Sequence, residues 1–200
     1  MPHAFDAILF DFDGVLVDSE PIHYDCWIET LSPFGFHMDR DTYMTTCVGI
    51  SDRTMIERFA QSQTPPLDAD LLYAQYPRKK ELFRQRIGLS IPFPTPTLEL
   101  IRQLTLPMAV VSSSGRAEVE PPFLQAGIRH HFQAMVCGLE AGKLKPAPDP
   151  YLKAAAMLEA QMPLVVEDSE AGAAAGRAAG FQVLRIAHPD ELSLRLRAML

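Results

Sequence analysis

Little in this chain of 200 residues points outward, to secretion, membranes or nucleic acid. It has only three cysteines, Cys26, Cys47 and Cys137. Their number and scatter give neither a disulfide framework nor a zinc site, so buried reduced thiols are expected. Positive charge is short as well. Lys and Arg number 18 against 25 Asp and Glu, a net charge of −7, which makes nucleic acid and anionic membrane poor partners. No apolar run approaches the length of a membrane span. The N-terminus lacks the basic region, long apolar stretch and cleavage site of a secretory signal. Internal repeats and low-complexity tracts are missing too. The expectation is a cytoplasmic protein, a monomer or weak dimer, built as one ordinary domain or as a core with a modest insert.

What is present begins at Ile8-Leu9-Phe10-Asp11-Phe12-Asp13-Gly14. A short apolar run is the mark of a strand buried on both faces. This one ends in two carboxylates flanking one aromatic residue, and buried acids are costly unless they bind a cation or do chemistry. In an open parallel sheet the carboxyl ends of the strands are where ligands sit. Asp11 and Asp13 are two apart, so an extended chain puts them on one side, and Gly14 permits the strand to break there. Two carboxylates so close favour a shared proton or a divalent cation.

Further strand candidates follow, two of them ending in polar groups. Met108–Val111 runs into Ser112-Ser113-Ser114-Gly115-Arg116, and hydroxyls followed by a helix start make a phosphate cradle with the backbone N–H groups. Phe132–Val136 is a third strand candidate. Pro163–Val166 stops at Glu167-Asp168-Ser169, hard oxygen ligands of the kind magnesium takes. Between them, Lys143 and Lys145 compete to supply a compact ammonium, and Pro146 fixes the direction of Lys145. Pro121-Pro122 can start a helix, and Gly127 can end it. Phe181–Ile186 is a fifth strand, with a terminal helix from Pro189 onward.

Residues 19–90 lack strand patterning. Ile22, Trp27, Ile28 and Leu31 recur at helical spacing. A second helix covers Arg40–Met44, and Ser51 caps a third whose buried stripe is Met55, Ile56 and Phe59. Leu71–Ile87 reads as a helix weakly interrupted at Pro77. Ile91–Pro96 is a stiff, proline-rich return segment. Residues 19–90 thus read as a small helical insert, and 1–18 with 91–200 form the α/β core.

The run DFDGVLVDSEP resembles the first motif of the haloacid dehalogenase superfamily, in its β-phosphoglucomutase-like branch. Ser112, Lys145 before Pro-x-Pro-Asp, and Glu167-Asp168 are similar to that family's later motifs, in order. The resemblance covers nearly the whole chain. It implies a doubly wound, Rossmann-like parallel sheet of order 5-4-1-2-3, with residues 19–90 as a helical cap. It implies that Asp11 is the nucleophile, that Asp13 is the acid and base, and that Ser112 and Lys145 hold the phosphate. Ser113 and Gly14 join the phosphate contacts. Asp11, Asp13 through its backbone carbonyl, and Asp168 would ligate Mg²⁺. Glu167 would be a further ligand or the holder of a metal-bound water. His23, Arg53 and Arg116 are candidates for phosphate or substrate contact. The branch places a basic residue where this chain has Asp52, a departure that counts against a mutase.

Three functions follow as expectations. The first is a Mg²⁺-dependent phosphatase acting on a small phosphorylated metabolite, a sugar phosphate above all, through an aspartyl-phosphate. The second is a phosphohexose mutase with the same core. The third is a phosphate-ligand binding module without turnover. A dehalogenase is disfavoured, because Asp13 is the acid and base of phosphoryl-transfer members.

Overall fold

Strands covered on both faces must be apolar, and the central ones here are, save for Ser112 and Glu167 at the carboxyl ends of two of them. The computed structural model describes residues 4–48, 50–89 and 93–200. Gly49 and residues 91 and 92 of the expected return segment therefore lie outside the described residues. By compactness the chain divides into Met1–Ser19 with Gly88–Leu200, and Glu20–Ile87.

The first unit is built on five parallel strands: β1 (Ile8–Phe10), β2 (Met108–Ser112), β3 (Ala134–Cys137), β4 (Leu164–Glu167) and β5 (Gln182–Arg185). Their order is β3-β2-β1-β4-β5. This is the expected 5-4-1-2-3 order, with the opening strand central. Leu9 pairs in register with Ala109 on one side and Val165 on the other. Side chains alternate between faces along a strand, and each face has its own cover. Leu9, Val111, Val136 and Val165 pack with Tyr151, Ala154 and Ala155 of α8 (Asp149–Met157) and Ala175 of α9 (Glu170–Ala178). On the other face Phe10 meets Phe132 edge-on, and Phe132 meets Phe123. Burying each such side chain contributes about 1.5–3 kcal/mol, so the sheet interior fixes the positions of the strand ends.

Phe123 belongs to α7 (Arg116–Gln125), which differs from the expectation. Pro121 and Pro122 do not start this helix but lie inside it. The helix begins at Gly115, whose carbonyl accepts from Glu118 and Val119. A proline ring already holds helical φ, so the cost of keeping the helix there is the missing N–H groups and the crowding of each ring against the preceding turn's carbonyl. The rest of this unit is α6 (Thr95–Gln103) and, after a 3₁₀ turn at Pro189–Glu191, α10 (Leu192–Arg197).

The second unit is helical: α1 (Glu20–Leu31), α2 (Arg40–Thr46), α3 (Asp52–Ser62), α4 (Ala69–Tyr73) and α5 (Tyr76–Leu89). Trp27, Leu31, Phe36, Tyr43, Met55, Ile56, Phe59 and Leu72 form its core. Ser51 caps α3 by accepting from the Thr54 N–H, as its position predicts. The expected helix over Leu71–Ile87 is two helices, broken at Ala74–Gln75. Pro77 sits in the first turn of α5, where an absent N–H leaves no bond unmade. Among the described residues no helix is long and apolar enough to cross a membrane.

Candidate active site

The carboxyl ends of β1, β2 and β4 surround a cavity of about 220 Å³. Its wall carries Asp11, Asp13, Ser112, Ser113, Lys145 and Asp168. The sheet geometry explains this convergence. Asp11 directly follows β1, Ser112 ends β2, and Asp168 directly follows β4. A turn after Asp11 brings Asp13 beside them, closed by the Gly14 N–H donating to the Val17 carbonyl at 2.9 Å. Gly14 has φ +73°, and a Cβ there would overlap the Asp168 carboxylate. Glycine is therefore required at this point twice over, by conformation and by space.

Lys145 is the centre of the charge arrangement. Its Nζ donates to Asp11 Oδ1 at 2.5 Å, Glu167 Oε1 at 2.6 Å and the Val111 carbonyl at 2.8 Å. All three ammonium hydrogens are thus placed. Burial works against this charge, but Asp11 and Glu167 outweigh it and raise the ammonium's pKa. Lys143, the rival, is exposed and lies 3.7 Å from Asp149.

Glu167 is fully buried. Its Oε1 accepts from Lys145 and from the Tyr151 hydroxyl at 2.7 Å. Its Oε2 accepts from the Asp168 and Ser169 N–H groups and the Ser169 hydroxyl. Burial pushes this carboxyl up, yet Lys145 and the other donors bring it below the ordinary value. Gly172 on α9 makes room for it, since a Cβ there would overlap the carboxylate.

The other acids are shifted the opposite way. Burial raises Asp11 strongly; Lys145 opposes this, while Glu167, Asp168 and Asp13 reinforce it. Asp168 is raised to about 6 by burial and by Glu167. Burial also raises Asp13, against the pull of two hydroxyl donors: Ser19 to Oδ1 at 2.6 Å and Ser114 to Oδ2 at 3.0 Å. Four carboxyl groups thus face one buried ammonium. Oxygens of Asp11, Glu167 and Asp168 lie within 4.8 Å of one another. An excess of buried negative charge on hard oxygen donors fits a small divalent cation, and the donor set fits magnesium.

Two of the expected contacts, Arg116 and Arg53, are held in ion pairs. Arg116 does not line the cavity. Its guanidinium is held at 2.8 Å by both oxygens of Glu140 and donates to the Met135 carbonyl. Arg53, in the helical unit, pairs with Glu57 and Asp70, each at 2.6 Å. His23 lines a second pocket, which lies within the helical unit. Sequence reasoning missed Ser19, Ser114 and Tyr151. Tyr151 had a signal: with Ala154 and Ala155 it marks a helical stripe at i, i+3 and i+4. Ser19 and Ser114 had none beyond being hydroxyls near the motifs.

A parallel α/β sheet with an acidic, lysine-bearing cavity at its carboxyl edge defines an enzyme of phosphoryl-type chemistry. The model of haloacid dehalogenase-like hydrolases matches residues 8–186. The chain belongs to the haloacid dehalogenase-like hydrolase family, in its branch of phosphatases and phosphomutases. It is 30% identical over 190 residues to the fructose-1-phosphate phosphatase YqaB of Escherichia coli, covering 93% of this chain and 98% of that one. It is 27% identical over 202 residues to a phosphoglycolate phosphatase of Haemophilus influenzae, covering 96% and 90%. It is similar in structure to CbbY from Rhodobacter sphaeroides, in a mutant form solved in complex with xylulose-1,5-bisphosphate. The TM-score is 0.65 and the identity 25%, over 90% of this chain and 84% of that one.

Proposed function

We propose that the protein is a Mg²⁺-dependent phosphatase that hydrolyses a small sugar phosphate through an aspartyl-phosphate on Asp11. The observation that carries this reading is the meeting of Asp11, Asp13, Ser112, Lys145 and Asp168 around one cavity. Asp11 attacks phosphorus as the ester P–O bond breaks, and Asp13 gives its proton to the departing oxygen. Water then attacks the aspartyl-phosphate, Asp13 takes its proton, and phosphate leaves with Asp11 regenerated. Burial raises the Asp13 pKa, the direction a general acid needs. Lys145 favours the ionised form of Asp11 against the pull of burial, aims it, and offsets charge on the phosphoryl oxygens. Ser112 and the backbone N–H of Ser113 orient the phosphoryl group. Asp11, Asp168 and the Asp13 carbonyl, with Glu167 beside them, would hold the magnesium ion. Bound there, the ion would neutralise charge on the transferring group.

Glu20–Ile87 acts as the cap and recognises the non-phosphate part of the substrate. Support for a sugar phosphate comes from the relatives whose names carry one. Three buried, unpaired thiols suit a reducing cytoplasm.

The test is inorganic phosphate release over a panel of sugar and polyol phosphates, with and without Mg²⁺, beside the Asp11→Asn variant. Release that needs Mg²⁺ and falls at least about 10³-fold in Asp11→Asn is expected. Release that survives either change refutes the mechanism.

A further inference from the structure

In the first unit two buried carboxylates compete for one ammonium. Lys145 Nζ stands 2.5 Å from Asp11 Oδ1 and 2.6 Å from Glu167 Oε1, and it also donates to the Val111 carbonyl. An ammonium drawn wholly onto Glu167 would leave Asp11 unaimed and the phosphoryl oxygens without their opposing charge. How Lys145 is divided between the two acids therefore bears on the chemistry.

Tyr151 touches both members of the Glu167–Lys145 pair. Its hydroxyl donates to Glu167 Oε1 at 2.7 Å, the same oxygen that accepts from Lys145. Its ring faces the ammonium, with Nζ 4.9 Å from the ring centre. The side chain is completely buried, and Leu9, Val111, Val136 and Val165 of the sheet pack with it, so the ring is fixed. Glu167 is fixed as well. Its Oε2 accepts from the Asp168 and Ser169 N–H groups and the Ser169 hydroxyl, and α9 closes on it at Gly172. The carboxylate therefore meets Lys145 and Tyr151 through one oxygen that cannot turn away. A lone pair of that oxygen given to the phenol is not available to the ammonium. The hydroxyl thus loosens the hold of Glu167 on Lys145 without ending it, and the ring face adds attraction for the cation.

We propose that Tyr151 is a positioning residue for Lys145. It divides the ammonium between Glu167 and Asp11, and so keeps positive charge where the phosphoryl group arrives. The proposal rests on the phosphatase reading given above. The rival account is that the hydroxyl only satisfies a buried acceptor and so acts on stability alone.

Tyr151→Phe removes one oxygen and keeps the ring. With the sugar phosphate that the wild type turns over fastest, kcat is expected to fall about tenfold with KM within about twofold, the pattern of an interaction made in the transition state. Added to Lys145→Ala, the same change should lower kcat less than about threefold, because a residue that acts through Lys145 then has nothing to position. A merely structural hydroxyl would cost the same factor in both backgrounds. That result overturns the proposal, as does an unchanged kcat, or a Tyr151→Phe protein that no longer shows a cooperative thermal melt. Calorimetric titration of inorganic phosphate in the presence of Mg²⁺ gives a readout without turnover. Tyr151→Phe should weaken phosphate at least about threefold when Lys145 is present and leave it unchanged in Lys145→Ala. Absence of phosphate release by the wild type with every ester refutes the phosphatase reading, and this titration then decides the role of Tyr151. Phosphate affinity that Tyr151→Phe leaves unchanged, or no phosphate binding by the wild type, overturns it.

Discussion

Lys145 is where the chemistry of the site concentrates, because its three hydrogen bonds join the end of β2 to acids at the ends of β1 and β4. Removing it leaves Asp11 and Glu167 as neighbouring buried carboxylates with no cation between them. Lys145→Ala should lower kcat by about 10²–10³-fold, the usual cost of losing one preorganised charge-stabilising donor. Steady-state phosphate release checks this, and a loss under tenfold contradicts the role. Proton competition gives a second test at this scale. The Asp168 carboxyl is raised from 3.8 to about 6. Between those values the metal-free native protein holds a proton that the unfolded chain has released. Stability from this group therefore falls as pH rises through that window. A cation that needs the ionised carboxylates reverses the penalty. Added Mg²⁺ should raise the melting temperature more at pH 7.5 than at pH 5, by differential scanning fluorimetry. An equal gain at both pH values contradicts binding at these acids. Asp11, Asp13 and Asp168 were legible in the sequence because acids at the end of apolar runs are expensive without a purpose. The fates of Arg53 and Arg116 were not legible. They depend on Asp70 and Glu140, carboxylates 17 and 24 residues away that only the fold brings near. Nor was the burial of Lys79, since its neighbours Arg78 and Lys80 look the same in a basic cluster.

Among the elements, α9 shows how packing and chemistry share residues. Its cap, Ser169, accepts from the Gly172 N–H and donates to Glu167. Gly172 then leaves the space that the Glu167 carboxylate fills. Alanine is the better helix former by about 1 kcal/mol, but the donors from Lys145, Tyr151, Asp168 and Ser169 fix that carboxylate against any shift. The clash should win, and Gly172→Ala should destabilise the protein by about 1–3 kcal/mol, read as a lowered denaturant midpoint. A midpoint that stays or rises refutes the account of this glycine. The five strands were readable because buried strands show as apolar runs, and ligand groups mark the ends of β1, β2 and β4; their order followed from the family resemblance. Helix limits were less readable. Pro121 and Pro122 resemble a start, yet they lie inside α7, and one apparent helix is α4 and α5. Proline restricts a backbone without saying which neighbouring turn the tertiary packing will keep.

Across the whole molecule a net charge of −7 has to coexist with an anionic substrate. The first unit meets this locally, with Lys145 beside the Ser112–Ser114 loop and with oxygen donors of Asp11, Glu167 and Asp168 that fit a divalent cation. The second unit shows the opposite arrangement, with the buried ammonium of Lys79 matched by Asp52. The covalent role of Asp11 is the claim on which these functions depend. Its most direct measurement is an acid quench of the enzyme in turnover with a ³²P-labelled sugar phosphate and Mg²⁺, followed by peptide mapping. The label is expected on the peptide that carries Asp11. Label on another residue, or phosphate released with no labelled peptide at any quench time, would contradict it.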